Sequence, residues 1–316
     1  MIKIEKYSKD KQKIWDDFVN TSKTPMFMFN RNFMEYHSDR FVDNSLMFYN
    51  DKNELVAVLP ASIHGQQIRS HGGLTYGGFF VNDMMKQHTM NDCVSSLVEY
   101  LGANNINHFI YKSVPTIYNT LPAEEYMWPL WQAGFKLERT DVSSVIDLQN
   151  QLKMPKGRKA QISRAKREGV EIVESSDFNT FIDLENSVLS ARHGVRAVHT
   201  GAELKLLKSR FPENIKLFVA KYNNQMIAGT LLFIYPNVVH TQYMAANEVA
   251  REIGGLDLLI KTLIDKYTES KKWFDFGIST EQGGEVFNDG LCAQKEGFGA
   301  RTIAYNFYEW KCGKGR

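Results

Sequence analysis

Two stretches of the chain break their β-forming runs with polar residues in the same way. Ser45-Leu-Met-Phe-Tyr49 and Leu55-Val-Ala-Val-Leu59 flank Asp51-Lys-Asn-Glu54, a pattern that predicts strand, turn, strand. Ile215-Lys-Leu-Phe-Val-Ala-Lys-Tyr222 and Gln225-Met-Ile-Ala-Gly-Thr-Leu-Leu232 flank Asn223-Asn224, and predict the same hairpin. Ala57 and Ala228 fall at matching places in the two second strands.

The parallel continues downstream. A helical stretch from Asn91 to Gly102 leads into His108-Phe-Ile-Tyr111, and another from Leu256 to Tyr267 leads into Trp273-Phe-Asp-Phe276. Each half then has a short helix closing in Gly-Phe, at Gly134-Phe135 and at Gly297-Phe298. Glycine at both places suits a left-handed helix C-cap. Strands follow, from Val142 to Leu148 and from Thr302 to Trp310. Trp128, Leu130 and Trp131 read as the core-facing side of the first short helix. The ordered set predicts a duplicated α+β unit, with domains over 1–150 and 151–316.

Between the copies lies the most polar part of the chain, Gln149 to Gly169. Lys153, Lys156, Arg158, Lys159, Arg164, Lys166 and Arg167 occur there with no acid until Glu168. This is either a solvated helix face or a surface that meets phosphates. Overall charge does not separate the two, because Lys+Arg 38 against Asp+Glu 36 leaves only +2. That balance does exclude a chain that coats polyanions along its length. At 316 residues and 43% hydrophobic, the chain can build about two cores at ~150 residues each. Nothing approaches the ~20 apolar residues of a membrane span, and the opening residues have no signal-peptide core. Cys93, Cys292 and Cys312 are scattered, so they make neither a disulfide framework nor a zinc site. A cytoplasmic protein without a metal is expected.

Two segments of the second copy carry candidate chemistry. In the first, a strand ends near Ala245, a loop carries Arg251, and Gly254-Gly255 open an apolar helix from Leu256. Glycines before a helix leave free N–H groups at the positive end of its dipole, which suits a pyrophosphate. They equally suit a tight turn. In the second, Trp273-Phe-Asp-Phe-Gly-Ile-Ser279 runs into a loop of Gly, Ser, Glu and Asn, followed by Asn288-Asp-Gly-Leu-Cys-Ala-Gln-Lys295-Glu-Gly-Phe-Gly299. Loops after strands are where ligand contacts gather.

This order of elements resembles the GNAT N-acyltransferases, and the fuller pattern is similar to the Fem-type (FemABX) transferases that build peptidoglycan cross-bridges. The resemblance rests on Phe274-Asp-Phe-Gly-Ile-Ser279, on Asn288-x-Gly-Leu-x-x-Gln-Lys295-x-Gly-Phe-Gly299, and on Arg158-Lys-x-x-Ile-Ser-Arg-Ala-Lys-Arg-x-Gly169. It implies two tandem GNAT-like domains, each a mixed sheet flanked by helices. Leu256 stands where the GNAT phosphate motif has Gly or Ala, and the charged coiled-coil arm of some Fem proteins is missing.

What the resemblance implies for the site is direct attack of an amine on an activated carbonyl. Backbone N–H groups at Met244 and Ala245 would stabilise the oxyanion. Lys295 would neutralise developing negative charge, and the matching position of the first copy is Gln132. Arg251, Gly254 and Gly255 would hold donor phosphates. Asp275, Glu281 and His240 are the candidate bases, although His240 also reads as a satisfied core histidine. Arg196, at the end of Arg192-His-Gly-Val-Arg196, would meet the acceptor, as would Arg158. In the first copy, Ser70-His-Gly-Gly-Leu-Thr-Tyr-Gly-Gly78 offers His71 and Tyr76 as further contacts. Cys292 reads as packing.

The function expected is an N-acyltransferase using acyl-CoA on an amine of a cell-envelope or polysaccharide precursor. Two alternatives stand beside it. One is a Fem-type aminoacyltransferase drawing on aminoacyl-tRNA, which the basic run favours. The other is a non-catalytic binding protein on a decayed scaffold, which the irregular Leu256 favours.

Overall fold

The computed structural model describes residues 2–313, apart from the side chains of Arg192 and His193. The chain forms two compact units, one running to Asp141 and taking in the chain again from Ala304, the other being Val142–Ile303. This division differs from a split at 150. The polar stretch after 150 belongs to the second unit as a helix, Lys156–Arg167. The terminal strand Arg301–Lys311 pairs antiparallel with His108–Lys112, matching Phe307 to Lys112 and Lys311 to His108, which carries the chain back to the first unit.

In the first unit the expected hairpin forms from Leu46–Tyr49 and Leu55–Leu59, with Phe48 opposite Ala57. Lys3–Lys6 and Phe80–Val81 complete an antiparallel sheet on its two edges. A second set of strands pairs Ser62–His64 with Gln67–Arg69, and Gln67–Arg69 in parallel with His108–Lys112. Met90, Cys93, Val94, Leu97 and Leu101 recur at helical spacing on Gln87–Ala103 and are all buried. That stripe packs with Phe48, Ala57, Phe109, Tyr111 and Phe135, as an amphipathic helix must on a sheet.

The second unit has the sheet order Glu171–Ser175, Ile215–Tyr222, Gln225–Ile234, Val238–Ala246, Trp273–Ile278, and then the end of Lys136–Asp147. Asn223 and Asn224 sit at φ 51° and 62°, the left-handed pair that a two-residue hairpin turn demands. Ile227 through Phe233 are buried on every side, because helices cover both faces of the central strand. Ile162 and Ala165 of Lys156–Arg167 share one core with Leu258, Leu259, Ile260, Leu263 and Ile264 of Gly255–Tyr267. Across the strand, Phe181 of the helix Phe178–His193 comes so close to Gly229 that a Cβ there would lie 2.6 Å from its ring.

Of the two helix-end expectations, one changes. Gly134 has φ +90°, the left-handed cap expected. Gly297 instead keeps right-handed helical angles, and the reversal falls at Gly299, φ +96°. The short first-unit helix Met127–Gln132 buries Leu130 but leaves Trp128 and Trp131 half exposed, at 50% and 57%. One turn of helix presents only one residue in three or four to a core. The tryptophans line an apolar depression with Met127, Phe135 and Leu137.

Candidate functional site

Val238–Ala246 and Trp273–Ile278 are the neighbouring parallel strands of the second unit, and their pairing is short. It matches Val238 to Trp273, Val239 to Phe274 and His240 to Asp275, and ends there. Beyond that point Val238–Ala246 keeps its ladder with Gln225–Ile234, while Trp273–Ile278 breaks register with its other neighbour after Asp275. Gly277, at φ +73°, makes the break possible, and its N–H donates to Asp275 Oδ1 at 2.8 Å. One edge of Thr241–Ala246 is left facing an opening.

The ladder fixes which backbone groups face it. Asn247 N–H donates to Ile227 O at 3.0 Å, so Asn247, Ala245 and Tyr243 direct their backbone groups toward Gln225–Ile234. Alternation then turns Met244 and Ala246 the other way. Met244 N–H is therefore directed to the opening, and Ala245 N–H is not. Ala246 O accepts from Arg251 Nη2 at 3.0 Å across the same edge.

Asp275 and Lys295 come together behind this opening. Asp275 is fully buried, and its carboxylate accepts from Ser143 Oγ at 2.9 Å and from His240 Nδ1 at 3.0 Å as well as from Gly277. Lys295 is 2% exposed. Its Nζ donates to Gly277 O at 2.9 Å, Ile278 O at 2.6 Å and Ser279 Oγ at 2.9 Å. Burial brings its pKa down to about 8, against the opposing pull of Asp275. Both side chains hold the turn at Gly277–Ser279, and neither is among the residues that line the groove beside Met244. His240, 6% exposed, is the satisfied core histidine of the alternative reading.

Two adjoining depressions, about 290 and 440 Å³, form a groove with Val188, Met244, Leu291 and Gln294 common to both. Its ends differ in charge. At one, Arg251 and Arg158 line the wall with Asp257. Arg158 pairs with Asp257, donates to Gln294 O at 2.9 Å and stacks 4.0 Å from the ring centre of Phe298. Arg251 has no carboxylate partner among the described residues and is exposed. At the other end stand Glu185, Asn288 and Gly290.

Arg251 lies on a short helix, Glu248–Ile253, and not in a loop; Asn247 Oδ1 caps it by accepting from Ala250 N–H at 2.9 Å. Gly254 follows at φ +80°, where a Cβ would lie 2.4 Å from Gln161 O, and one on Gly255 would lie 2.8 Å from Ile227. Protein atoms fill the space that these glycines leave. Asp257 already places an acid in the first turn of Gly255–Tyr267, where it complements the helix dipole.

The remaining expected residues are dispersed. Glu281 accepts from Asn288 Nδ2 at 2.5 Å and so steadies the residue that caps Asp289–Glu296. Arg196 is exposed and lines neither depression; the preceding Arg192 and His193 have side chains outside those described. In the first unit His71 is buried at φ +57°, and burial drives its pKa down to about 3. Tyr76 is also enclosed, with its hydroxyl 2.7 Å from that of Tyr118 and 2.8 Å from that of Tyr305. Both are buried in the first unit rather than exposed on a loop surface. Cys292 packs, at 5% exposure.

Sequence reasoning missed Glu185. Phe178, Phe181, Ile182, Glu185, Val188 and Leu189 make one stripe along Phe178–His193, and an acid on an apolar stripe was the available signal.

Among the described residues no cluster of three or more His, Cys, Asp or Glu is arranged to hold a metal, and no helix is long and apolar enough to cross a membrane. Residues 156–285 match the family model of the acetyltransferase (GNAT) domain. No curated protein matches the chain. Among solved structures it is similar to FemX, at 12% identity over 99% of this chain and 98% of that one, with TM-score 0.69. The L-PGS of Bacillus licheniformis is 12% identical over 98% and 94%, with TM-score 0.65. A tandem GNAT protein of the clavulanic acid biosynthesis pathway is 10% identical over the whole of both chains, with TM-score 0.55. At such identities the likeness concerns the fold, which is α+β and of the tandem GNAT type.

Proposed function

We propose that this chain, whose residues 156–285 match the acetyltransferase (GNAT) domain, is an N-acyltransferase that moves an acyl group from acyl-CoA to a primary amine of a cell-envelope or polysaccharide precursor. The observation that carries this reading is the opening beyond His240 and Asp275, with Met244 on its edge and Arg251 beside it. A donor arm rich in amides can add to an unpaired strand edge. The acyl oxygen then meets Met244 N–H, which stabilises the charge that develops on attack. Arg251 binds a donor phosphate, as a guanidinium without a carboxylate partner does well. Arg158, engaged with Asp257, shapes the wall. Lys295 and Asp275 act at one remove, by fixing the turn at Gly277–Ser279. Arg196 is assigned to acceptor phosphate and the first unit to acceptor binding. The envelope precursor rests on the resemblance of Phe274–Ser279 and Asn288–Gly299 to Fem-type transferases.

Calorimetry with acetyl-CoA and longer acyl-CoAs tests the donor. Saturable binding that weakens about tenfold in Arg251→Ala, the loss expected of one charge-assisted contact, is the predicted result. No binding of any acyl-CoA by the wild-type chain would sink it.

One observation favours aminoacyl-tRNA as the donor instead. Lys156, Lys159, Arg164, Lys166 and Arg167 are all exposed on Lys156–Arg167. Binding of aminoacyl-tRNA that falls steeply with salt, with no CoA binding, would select that reading.

A further inference from the structure

We propose that Glu185 receives the proton of the acceptor's ammonium group, and that the acceptor's primary amine docks at the end of the groove formed by Glu185, Asn288 and Gly290. This rests on the N-acyl transfer reading and adds to it the group that neutralises the nucleophile. Glu185 is 6% exposed, yet its Oε2 has no hydrogen-bond partner among the described residues. A carboxyl group buried without a partner is costly and calls for a ligand to satisfy it. The groove it lines is the one Met244 lines. Cation and carboxylate stand at opposite ends, so a donor phosphate and an acceptor ammonium sort to Arg251 and Glu185, with Met244 between them.

Burial alone raises the Glu185 pKa to about 7. The ionisable groups on the neighbouring elements are His240 and Tyr243 on Val238–Ala246, Glu203, Lys205, Lys208 and Arg210 on Gly201–Arg210, and Asp289 near the groove. None of them contributes to that shift. An acid titrating there can take a proton at neutral pH and release it again.

The step balances. The ammonium gives one proton to the Glu185 carboxylate and becomes an amine. Its lone pair forms the C–N bond to the acyl carbon, and the C–S bond of the thioester breaks. The second amine proton leaves with the sulfur as thiol, the amide remains, and Glu185 returns its proton to water.

The test uses the full chain labelled with ¹³C at glutamate side chains, with Glu185→Gln to assign the signal. Expected is one carboxyl resonance that titrates near neutrality, is absent from Glu185→Gln and shifts on adding methylammonium chloride but not sodium chloride. A Glu185 signal titrating in the ordinary carboxylate range, or deaf to methylammonium, overturns the proposal. In parallel, acetyl-CoA binding is measured, and transfer to a panel of primary amines is followed across pH. Glu185→Gln should bind acetyl-CoA like wild type, lose about a hundredfold in kcat/KM and lose the wild-type pH limb near neutrality, with Glu185→Asp recovering part of both. A Glu185→Gln pH profile identical to wild type also overturns it. Failure of the wild-type chain to bind acyl-CoA would instead count against acyl-CoA as the donor, while the resonance still decides Glu185.

Discussion

His240 Nδ1 lies 3.0 Å from Asp275 Oδ2, and the same two residues form the last matched pair of their parallel strands. The contact sits at the vertex where the strands part. It joins the ladder on one side to the turn at Gly277 on the other, through the bond from Gly277 N–H to Asp275. Asp275→Ala removes an acceptor from Ser143, His240 and Gly277 at once. Leaving buried donors without that acceptor should cost about 3 kcal/mol. Thermal or urea unfolding would register that loss, and donor binding should fall with it. A variant as stable as wild type would mean the vertex does not hold the opening in place.

Stability should depend on pH through Glu185. Its folded pKa is raised to about 7 from 4.5, so the folded chain holds that proton longer than the unfolded one. The contribution is fully present below 4.5 and is lost as pH rises through about 7. The loss is roughly 3 kcal/mol at most. Wild type should therefore lose stability relative to Glu185→Gln between pH 5 and pH 8, read as the difference in Tm. An unchanged difference across that window would show that Glu185 is charged throughout.

Gly254→Ala tests the packing account of the glycine pair. Alanine there meets both φ +80° and the Gln161 carbonyl, 2.4 Å from the new Cβ. Backbone strain and a clash with main-chain atoms should together cost on the order of 3 kcal/mol. Loss of donor affinity at unchanged stability would instead assign the glycine to ligand approach.

Trp128→Ser should change stability by less than about 0.5 kcal/mol, since half of the side chain is already in water. Chemical denaturation gives the answer directly. A loss of several kcal/mol would restore the tryptophan to a core role.

Local pattern determined much of this protein. The hairpin turn at Asn223-Asn224 follows from residues that tolerate a left-handed backbone. The stripe from Met90 to Leu101 follows from helical periodicity, and the tandem order of elements from the repetition of both signals. The loop motifs around Asp275 and Lys295 were legible as well, because their residue types and spacing are contiguous in the chain. Only the tertiary structure decided what those residues do. Lys295, from a helix, and Asp275, from a strand, are buried and bond to the turn at Gly277, Arg251 rides a helix, and His71 and Tyr76 are buried. The place where Val238–Ala246 leaves Trp273–Ile278 depends on the register between distant strands, which no local period encodes. Glu185 is the sharpest case. Its stripe was written in the sequence, but its burial required the sheet beneath it, since a carboxylate's ionisation is set by the water that neighbours exclude.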